Sequence, residues 1–461
     1  MAELVHVAWP LVLSQSSVSL QYIFDRIFLT WYSTDALAAA FSGGLLHWTL
    51  VSLLVGTASY TNSFVAQYEG AGQTNRVGSA IWQGVYFSLL AGALALAMIP
   101  VAPAIFGWFG HEAAVTRLEY RYFAILCCGT GALVLSTVLS CFFSGRGTTA
   151  VILWVNIFST SLNIVCDYVL VFGWGPIPAM GLEGAALGTV IAYFGGALAY
   201  VVVLARSSSA ASYQLARAWR FDRSLFTRML RYGFPNGFQQ FCELICFMLF
   251  ALVVGRMGSQ QLAATSLTFN LNSLAFIPLL GMGTAVMTLV GHRIGEGRPE
   301  LAERTTWLAF GLASGYSLAC CALYLFGADL ILLPYSLGAE TQDFATLRSF
   351  VTELLRFVAV YAVFDAMAVV FGSATRGAGD TRFAFLFSLA SGILLLVLPT
   401  YLGAVYWQTG LRGAWTSVAA FIIVMGVGYL ARFRQGKWKS MRVIDSGAVP
   451  SHGRDAAPAS Q

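Results

Sequence analysis

The second half of this chain repeats the first half in the same order. Pro10 and Pro235 end matching tripeptides, and Leu37 and Leu262 follow matching turns with the same offset in numbering. Three more landmarks recur at nearly that offset: Glu69-Gly70-Ala71-Gly72 with Ile294-Gly295-Glu296-Gly297, Ser144-Gly145-Arg146-Gly147 with Ala374-Thr375-Arg376-Gly377, and Gly181-Leu182-Glu183-Gly184-Ala185 with Gly410-Leu411-Arg412-Gly413-Ala414. This spacing predicts two structurally equivalent units.

The composition shows what these units are made of. Hydrophobic residues make up 58% of the 461 residues and charged residues only 10%, which excludes a soluble domain. A helix needs about 20 largely apolar residues to cross a bilayer. We predict twelve such stretches, near 5–31, 36–66, 79–105, 118–143, 149–172, 182–205, 227–255, 261–290, 304–334, 346–373, 382–406 and 411–433. The fold class is therefore an all-α polytopic membrane protein with two pseudo-symmetric six-helix bundles.

The basic residues predict how the chain is oriented. One side, with both termini, carries 17 Lys and Arg residues, and the opposite side carries only Arg117, Arg256, Arg348 and Arg412. The positive-inside rule places the richer side in the cytoplasm. We therefore expect a multi-pass protein of the cell inner (plasma) membrane with cytoplasmic N and C termini. The net charge of +5 follows from this topology and does not indicate nucleic-acid binding.

The repeat divides the chain into four regions. Residues 1–206 form an N-terminal six-helix bundle and 207–224 a cytoplasmic linker. Residues 225–434 form a C-terminal six-helix bundle, and 435–461 a basic tail that we expect to be disordered. Six spans return the chain to its starting side, so both bundles have the same orientation, as in many secondary transporters.

Several kinds of chemistry have no sequence support. The eight cysteines fall within predicted spans without a metal-ligand spacing, and the five histidines are scattered. The chain also lacks a Gly-rich loop for nucleotide phosphates. We therefore expect no cofactor, no tightly bound metal and no nucleotide or nucleic-acid partner, and an ion gradient as the energy source for any uphill transport.

Four acids lie inside predicted spans: Asp25, Asp167, Glu243 and Asp365. A charged side chain at that depth costs about 2.5–3.5 kcal/mol and is functional by default. Residues four apart share one helix face. A polar residue precedes each acid at that spacing: Gln21, Asn163, Gln239 and Tyr361 respectively. The pattern predicts carboxylates that face polar cavities and bind ions or relay protons.

At these residues the sequence resembles the multidrug and toxic compound extrusion (MATE) family. The matching segments are Trp9-Pro10-Leu11, Phe24-Asp25-Arg26-Ile27-Phe28, Tyr232-Gly233-Phe234-Pro235-Asn236-Gly237 with Glu243, Tyr361-Ala362-Val363-Phe364-Asp365-Ala366 and Thr375-Arg376-Gly377-Ala378-Gly379-Asp380-Thr381. The resemblance extends to about Arg434. It implies a V-shaped pair of bundles and export of organic cations in exchange for Na⁺ or H⁺, and thus a transporter and not an enzyme.

The resemblance also implies roles for individual residues. Glu243, Tyr361 and Asp365 would form the cation-coupling site of the C-terminal bundle, which can hold Na⁺. Asp25, Asn163 and Asp167, with Gln21 and Thr189, would form the polar or proton site of the N-terminal bundle, and Gln239 and Gln240 would line the substrate cavity. Arg26 departs from the family pattern, which more often has a small or neutral residue there. We expect a monomer in the lipid bilayer that transports small organic cations.

Two alternatives remain open at this stage. A flippase for a lipid-linked or other anionic amphiphile would need a basic cavity, whereas the spans hold mainly acids. An intramembrane aspartyl protease is suggested by Gly377-Ala378-Gly379-Asp380, but it would need a second aspartate sharing one proton with Asp380. Asp380 instead falls in a predicted cytoplasmic loop.

Overall fold

Long helices dominate the structure. The computed structural model describes residues 1–107, 113–207, 212–336 and 341–445. The first six long helices are α1 (Ala2–Tyr32), α2 (Thr34–Ser59 continued by Thr61–Gly70), α3 (Thr74–Met98), α4 (Ala113–Gly145), α5 (Ala150–Phe172) and α6 (Leu182–Arg206). The second six are α7 (Arg223–Met257), α8 (Ser259–Gly295), α9 (Pro299–Phe326), α10 (Thr341–Ala378), α11 (Thr381–Trp407) and α12 (Gly410–Arg434).

The long helices fit a membrane protein. Among the described residues, 11 helices are long and apolar enough to cross a membrane. The remaining long helix, α1, has 31 residues, but Gln21, Asp25 and Arg26 make it more polar. The predicted all-α fold of twelve long helices in two bundles is confirmed.

Two predicted spans end too late. The predicted span 79–105 is interrupted after Met98, and a separate short helix covers Ala102–Gly107. Pro100 explains the break, because proline has no N–H to donate and restricts the residue before it. The predicted span 304–334 likewise ends at Phe326, and Gly327 separates it from the short helix Ala328–Ser336. The apolar composition continues through both breaks, so hydropathy alone missed them.

The two bundles repeat the same helix contacts. In each bundle the first helix packs against the fifth, so that α1 contacts α5 and α7 contacts α11. The second helix packs against the fourth and the fourth against the sixth, again in both bundles. The repeat that the sequence shows is therefore present in three dimensions.

Glycines bring the two bundles together. Helix α2 packs on α7, and α1 packs on α8. A Cβ added to Gly56 of α2 would lie 2.7 Å from the Cα of Gly237 in α7, and one added to Gly281 of α8 would lie 2.7 Å from the Cα of Val12 in α1. Gly281 is the repeat equivalent of Gly56, and Gly237 is that of Val12. Small residues permit such close backbone contact between membrane helices.

Most of the hydrogen bonds between the bundles lie at one end of the molecule, and another, from the Asn236 amide of α7 to the Gly56 carbonyl of α2 at 2.7 Å, lies at the glycine crossing. We call this end the terminal side, because it contains the first residue of α1 and the last of α12. Here the Tyr60 hydroxyl donates to the Arg376 carbonyl at 2.8 Å, and the Asn62 amide donates to the Thr288 hydroxyl at 3.0 Å. None of the described hydrogen bonds joins the bundles at the opposite end, which we call the far side. The terminal side is thus closed.

The chain after α12 packs onto the terminal side. Trp438 is 1% exposed and stacks on Phe433 with ring centroids 4.8 Å apart. Farther on, the Val443 N–H donates to the side-chain oxygen of Gln67 at 2.9 Å. The prediction of a disordered tail is therefore wrong for residues 435–445, where buried apolar side chains anchor the segment. Residues 446–461 lie outside the described residues.

The segment between the bundles is also anchored. The Tyr213 hydroxyl donates to Glu69 at 2.7 Å, and the Trp82 indole donates to the Leu215 carbonyl at 2.7 Å. Asp222 accepts from the Leu225 N–H and caps the start of α7. The linker predicted at 207–224 therefore ends slightly earlier, at the cap of α7, and its residues 208–211 lie outside the described residues.

We expect the Gly237→Ala substitution to destabilise the protein by roughly 1–3 kcal/mol, the usual cost of overpacking. Its Cβ would lie 2.2 Å from the Leu53 carbonyl oxygen, whose backbone cannot move aside without separating α2 from α7. Thermal unfolding of the purified protein measures the effect. Gly311→Ala in α9 is the matched control, because no atom lies within 4 Å of its added Cβ. Equal stability of the two variants would contradict a tight crossing.

Candidate functional site

The N-terminal bundle gathers its predicted polar residues between α1, α5 and α6. Asn163 and Asp167 of α5 are fully buried, and Gln21 of α1 is 9% exposed. The Asn163 amide donates to the Thr189 hydroxyl of α6 at 3.4 Å. Beside them, a Cβ at Gly188 would lie 2.0 Å from the Asp167 Oδ1 atom, so only glycine leaves room for this carboxyl group. Helix α1 and the consecutive helices α5 and α6 therefore build one polar cluster.

The carboxyl groups of Asp25 and Asp167 lie within hydrogen-bonding reach of each other. Asn163, one turn earlier on α5, also lies within hydrogen-bonding reach of the Asp167 carboxyl group. Two adjacent carboxylates repel each other when both are ionised, so such a pair shares one proton. This arrangement can hold and release a proton within the bundle.

Three tyrosines lie near this carboxyl pair. Tyr122 of α4 and Tyr193 of α6 lie within electrostatic range of both Asp25 and Asp167, and Tyr22 lies within range of Asp25. The sequence carried no signal for these tyrosines, because a single tyrosine in an apolar span is usually a packing residue.

Arg26 lies within electrostatic range of the neighbouring Asp25 but is not paired with it. Its side chain is exposed, and among the residues that the structure describes it forms no ion pair with Asp25 or with any other carboxylate. Among the described residues, the carboxyl pair therefore has no ion-paired basic partner, although Arg26 remains near enough to act on Asp25 electrostatically.

In the C-terminal bundle, Glu243 is held by its own helix and by a neighbouring one. The Ser388 hydroxyl of α11 donates to Glu243 Oε1 at 2.6 Å, and the Gln239 amide donates to the same oxygen at 3.0 Å. Gln239 also donates to the Tyr429 hydroxyl of α12 at 3.1 Å. Ser388 and Tyr429 were missed by sequence reasoning, because neither stands at helical spacing from an acid. Together these contacts fix one carboxylate oxygen and leave Oε2 outside this network.

Asp365 lies in a separate cavity from Glu243. A cavity of about 10 Å³ between α8, α9 and α10 is lined by Asp365, Asn272, Tyr316, Ser317 and Tyr324, among others. This is about the room that one water molecule needs. Tyr361, one turn from Asp365, is 1% exposed, and its hydroxyl has no partner among the described residues. Oxygen atoms thus predominate among the polar atoms around this small space.

The predicted C-terminal triad is therefore divided in the structure. Asp365 lines the cavity between α8, α9 and α10, with Tyr361 buried one turn away, whereas Glu243 belongs to the network with Ser388 and Tyr429. Asp365 still lies within electrostatic range of Glu243. The structure thus forms two neighbouring acidic positions that influence each other's charge.

The two glutamines predicted to line a substrate cavity lie in different places. Gln239 is 3% exposed and belongs to the Glu243 network inside the C-terminal bundle. Gln240 lies at the crossing of α2 and α7, where its Oε1 atom is 2.8 Å from the position of a Cβ on Gly56. Gln239 thus orients an acid, and Gln240 packs between the bundles.

The motif that suggested a protease has a structural role. Asp380 is 6% exposed and pairs with Arg432 at 2.7 Å, which joins the start of α11 to the end of α12. The Arg432 guanidinium also lies 4.6 Å from the centre of the Phe383 ring. Asp380 is therefore an ion-paired structural residue. Among the described residues, no cluster of His, Cys, Asp and Glu could hold a metal ion.

Comparisons with known sequences agree with this architecture. The family model MatE matches residues 10–169 and 235–402, one segment in each bundle. The protein named probable multidrug resistance protein NorM from Burkholderia pseudomallei is 29% identical over 441 residues, covering 94% of this chain and 92% of its own. Multidrug resistance protein PmpM from Pseudomonas aeruginosa is 29% identical over 431 residues, covering 90% and 87% respectively.

Solved structures share the fold. The outward-facing conformation of a multidrug resistance MATE family transporter superposes with a TM-score of 0.85 at 22% identity, covering 95% of this chain and 96% of that one. A MOP superfamily transporter from Pyrococcus furiosus superposes with a TM-score of 0.82 at 21% identity and the same coverage. The family model covers most of both bundles, and the helix arrangement is that of the known structures. The chain therefore belongs to the MatE family of membrane transporters.

Proposed function

We propose that this protein is a multidrug efflux transporter that exports organic cations in exchange for Na⁺ or H⁺ by alternating access. The observation that carries the proposal is the set of four buried or half-buried acids in the spans: Asp25, Asp167, Glu243 and Asp365. None of the four forms an ion pair with a basic residue in the part of the chain that the structure describes. Uncompensated acids raise the local concentration of cations. The names of the related multidrug resistance proteins support the same conclusion.

The transport step follows from competition for these acids. In the state open to the far side, Na⁺ or H⁺ neutralises Glu243 and Asp365, which weakens the attraction for a cationic drug and releases it. When the ion leaves on the terminal side, the ionised acids attract the next drug molecule. Carboxylate and hydroxyl oxygens suit a hard cation such as Na⁺, and a carboxyl group also accepts a proton. The same residues can therefore serve either coupling ion.

The proposal includes an orientation and an oligomeric state. Because 17 basic residues lie on or near the terminal side in the sequence-based topology, we place that side in the cytoplasm of an inner-membrane protein. We propose a monomer, since one chain supplies both bundles and their acidic clusters. A flippase for anionic amphiphiles is disfavoured, because the acids would repel such a substrate.

Neutralising the C-terminal acids tests the proposal. We expect Glu243→Gln and Asp365→Asn to abolish ethidium efflux from proteoliposomes, because each variant removes a charge that binds drug and coupling ion in turn. Efflux is measured with a Na⁺ gradient and a pH gradient imposed separately, which also identifies the ion. Glu183→Gln, an acid at the surface paired with Arg121, is the matched control and should transport normally. Full activity of both site variants would refute the model.

Ser388 should tune ion binding at Glu243. Loss of its hydrogen bond in Ser388→Ala removes about 1.5–3 kcal/mol of interaction with a charged group. The hydroxyl stabilises the ion-free carboxylate, so its loss should strengthen binding of a proton or Na⁺. We expect a roughly tenfold or greater fall in the ion concentration that gives half-maximal transport, with little change in the maximal rate. Ser388→Thr retains the hydroxyl and should remain close to the unaltered protein. An unchanged ion dependence in Ser388→Ala would show that this contact does not position the acid.

The Asp25 and Asp167 pair should carry coupling protons. We expect Asp25→Asn and Asp167→Asn each to abolish efflux driven by a pH gradient, because the pair can no longer exchange its shared proton. If a Na⁺ gradient drives efflux by the unaltered protein, it should also drive efflux by these two variants, because Glu243 and Asp365 are intact. Initial rates of ethidium efflux under each gradient give the comparison, with Asp329→Asn, an exposed acid paired with Arg348, as control. Retained proton-driven efflux in both variants would contradict this role.

A further inference from the structure

The ends of α2 and α8 cross on the terminal side in a pseudo-symmetric contact. A Cβ on Gly70, the last residue of α2, would lie 2.1 Å from the His292 carbonyl oxygen of α8. A Cβ on Gly295, the last residue of α8, would lie 2.2 Å from the Gln67 carbonyl oxygen of α2. In the repeat, Gly295 is the equivalent of Gly70, and His292 is the equivalent of Gln67. The two halves therefore contribute the same two positions to one crossing.

The side chains at these positions reach into the opposite bundle. The Gln67 amide donates to the Gly377 carbonyl in the last turn of α10 at 2.9 Å. The His292 ring donates from Nε2 to the Gly145 carbonyl in the last turn of α4 at 2.8 Å, since a carbonyl oxygen can only accept. Each donor thus crosses from a second helix of one bundle to the end of the fourth helix of the other.

Helix ends explain why these particular carbonyls need a donor. The last four C=O groups of an α-helix have no partner within the helix, and burial without a partner is costly. Gln67 is fully buried, and its side-chain oxygen accepts from the Val443 N–H, which directs its amide nitrogen towards α10. When the bundles separate on the terminal side, water can take over both carbonyls. The contacts therefore stabilise the closed state without making it permanent.

We propose that Gln67 and His292 are the two halves of a latch that keeps the terminal side closed and that must release for this side to open. The two halves act together, because both hydrogen bonds span the same crossing between rigid bundles. The latch rests on the alternating access of the proposed function, but it is independent of the coupling ion and of the substrate. A measurement of how readily the terminal side opens needs no transport, so it can disprove the latch without disproving the proposed function.

Hydrogen–deuterium exchange with mass spectrometry tests the latch in the full-length protein in nanodiscs. Gln67→Met and His292→Phe remove the donors and retain most of the side-chain volume. One hydrogen bond contributes modestly to the stability of the closed state. We therefore expect each variant to raise the exchange rate of the backbone amides roughly fivefold. The acceleration must appear at the ends of both α2 and α8, whichever helix carries the substitution. Acceleration confined to the substituted helix, or none, would overturn the proposal.

Matched variants separate the latch from a general loss of stability. His6→Phe and Gln260→Met change the same residue types at exposed positions, and exchange at the α2 and α8 ends should stay unchanged. The repeat suggests conservative replacements, because Gln67 and His292 occupy equivalent positions and both donate a hydrogen bond. Gln67→His and His292→Gln retain a donor and should exchange slowly, like the unaltered protein. Fast exchange in both of these donor-retaining variants would overturn the role of the donors even if the apolar variants fold poorly.

Discussion

The structure is organised around four carboxyl groups in membrane spans, none of which forms an ion pair with a basic residue that the structure describes. Each ionised group at that depth costs about 2.5–3.5 kcal/mol unless a cation or a proton compensates it. Hydrogen bonds from Ser388 and Gln239 reduce this cost for Glu243. For Asp25 and Asp167 the cost is reduced because the two adjacent carboxyl groups can share one proton, so that only one of them is ionised. In the proposed function, the residual negative charge attracts the mobile cations.

The repeat is symmetric in its backbone but not in its polar residues. The position of Asp25 is occupied in the second half by Phe250, which is fully buried and lies 6.0 Å from the Phe269 ring. In turn, the position of Glu243 is occupied in the first half by Val18. The two bundles thus place their acids at different positions of equivalent scaffolds. One bundle holds a carboxyl pair, and the other holds two acids in neighbouring sites.

The contacts between the bundles differ in strength along the molecule. At the Gly56 and Gly237 crossing the two helix backbones are in direct contact. Because this contact involves backbone atoms, a change of side-chain rotamer cannot relieve it. Towards the terminal side, contacts such as Asn62 with Thr288 are hydrogen bonds that water can replace. A tight crossing with exchangeable contacts beyond it is suited to bundles that tilt against each other. The terminal side is closed in this structure by several such weak contacts.

The sequence by itself determined the number of long helices, the repeat and the four acids, because apolar length, matched landmarks and charged residues in apolar spans are local properties of the chain. Helical spacing also placed a polar neighbour beside each acid, as with Asn163 and Asp167. Only the tertiary structure decided which helices meet. It brought Asp25 to Asp167 and Ser388 to Glu243, separated Asp365 from Glu243, and placed Val443 on Gln67. These contacts join residues from distant parts of the chain, and they depend on how helices pack, which the apolar pattern of a single span does not encode.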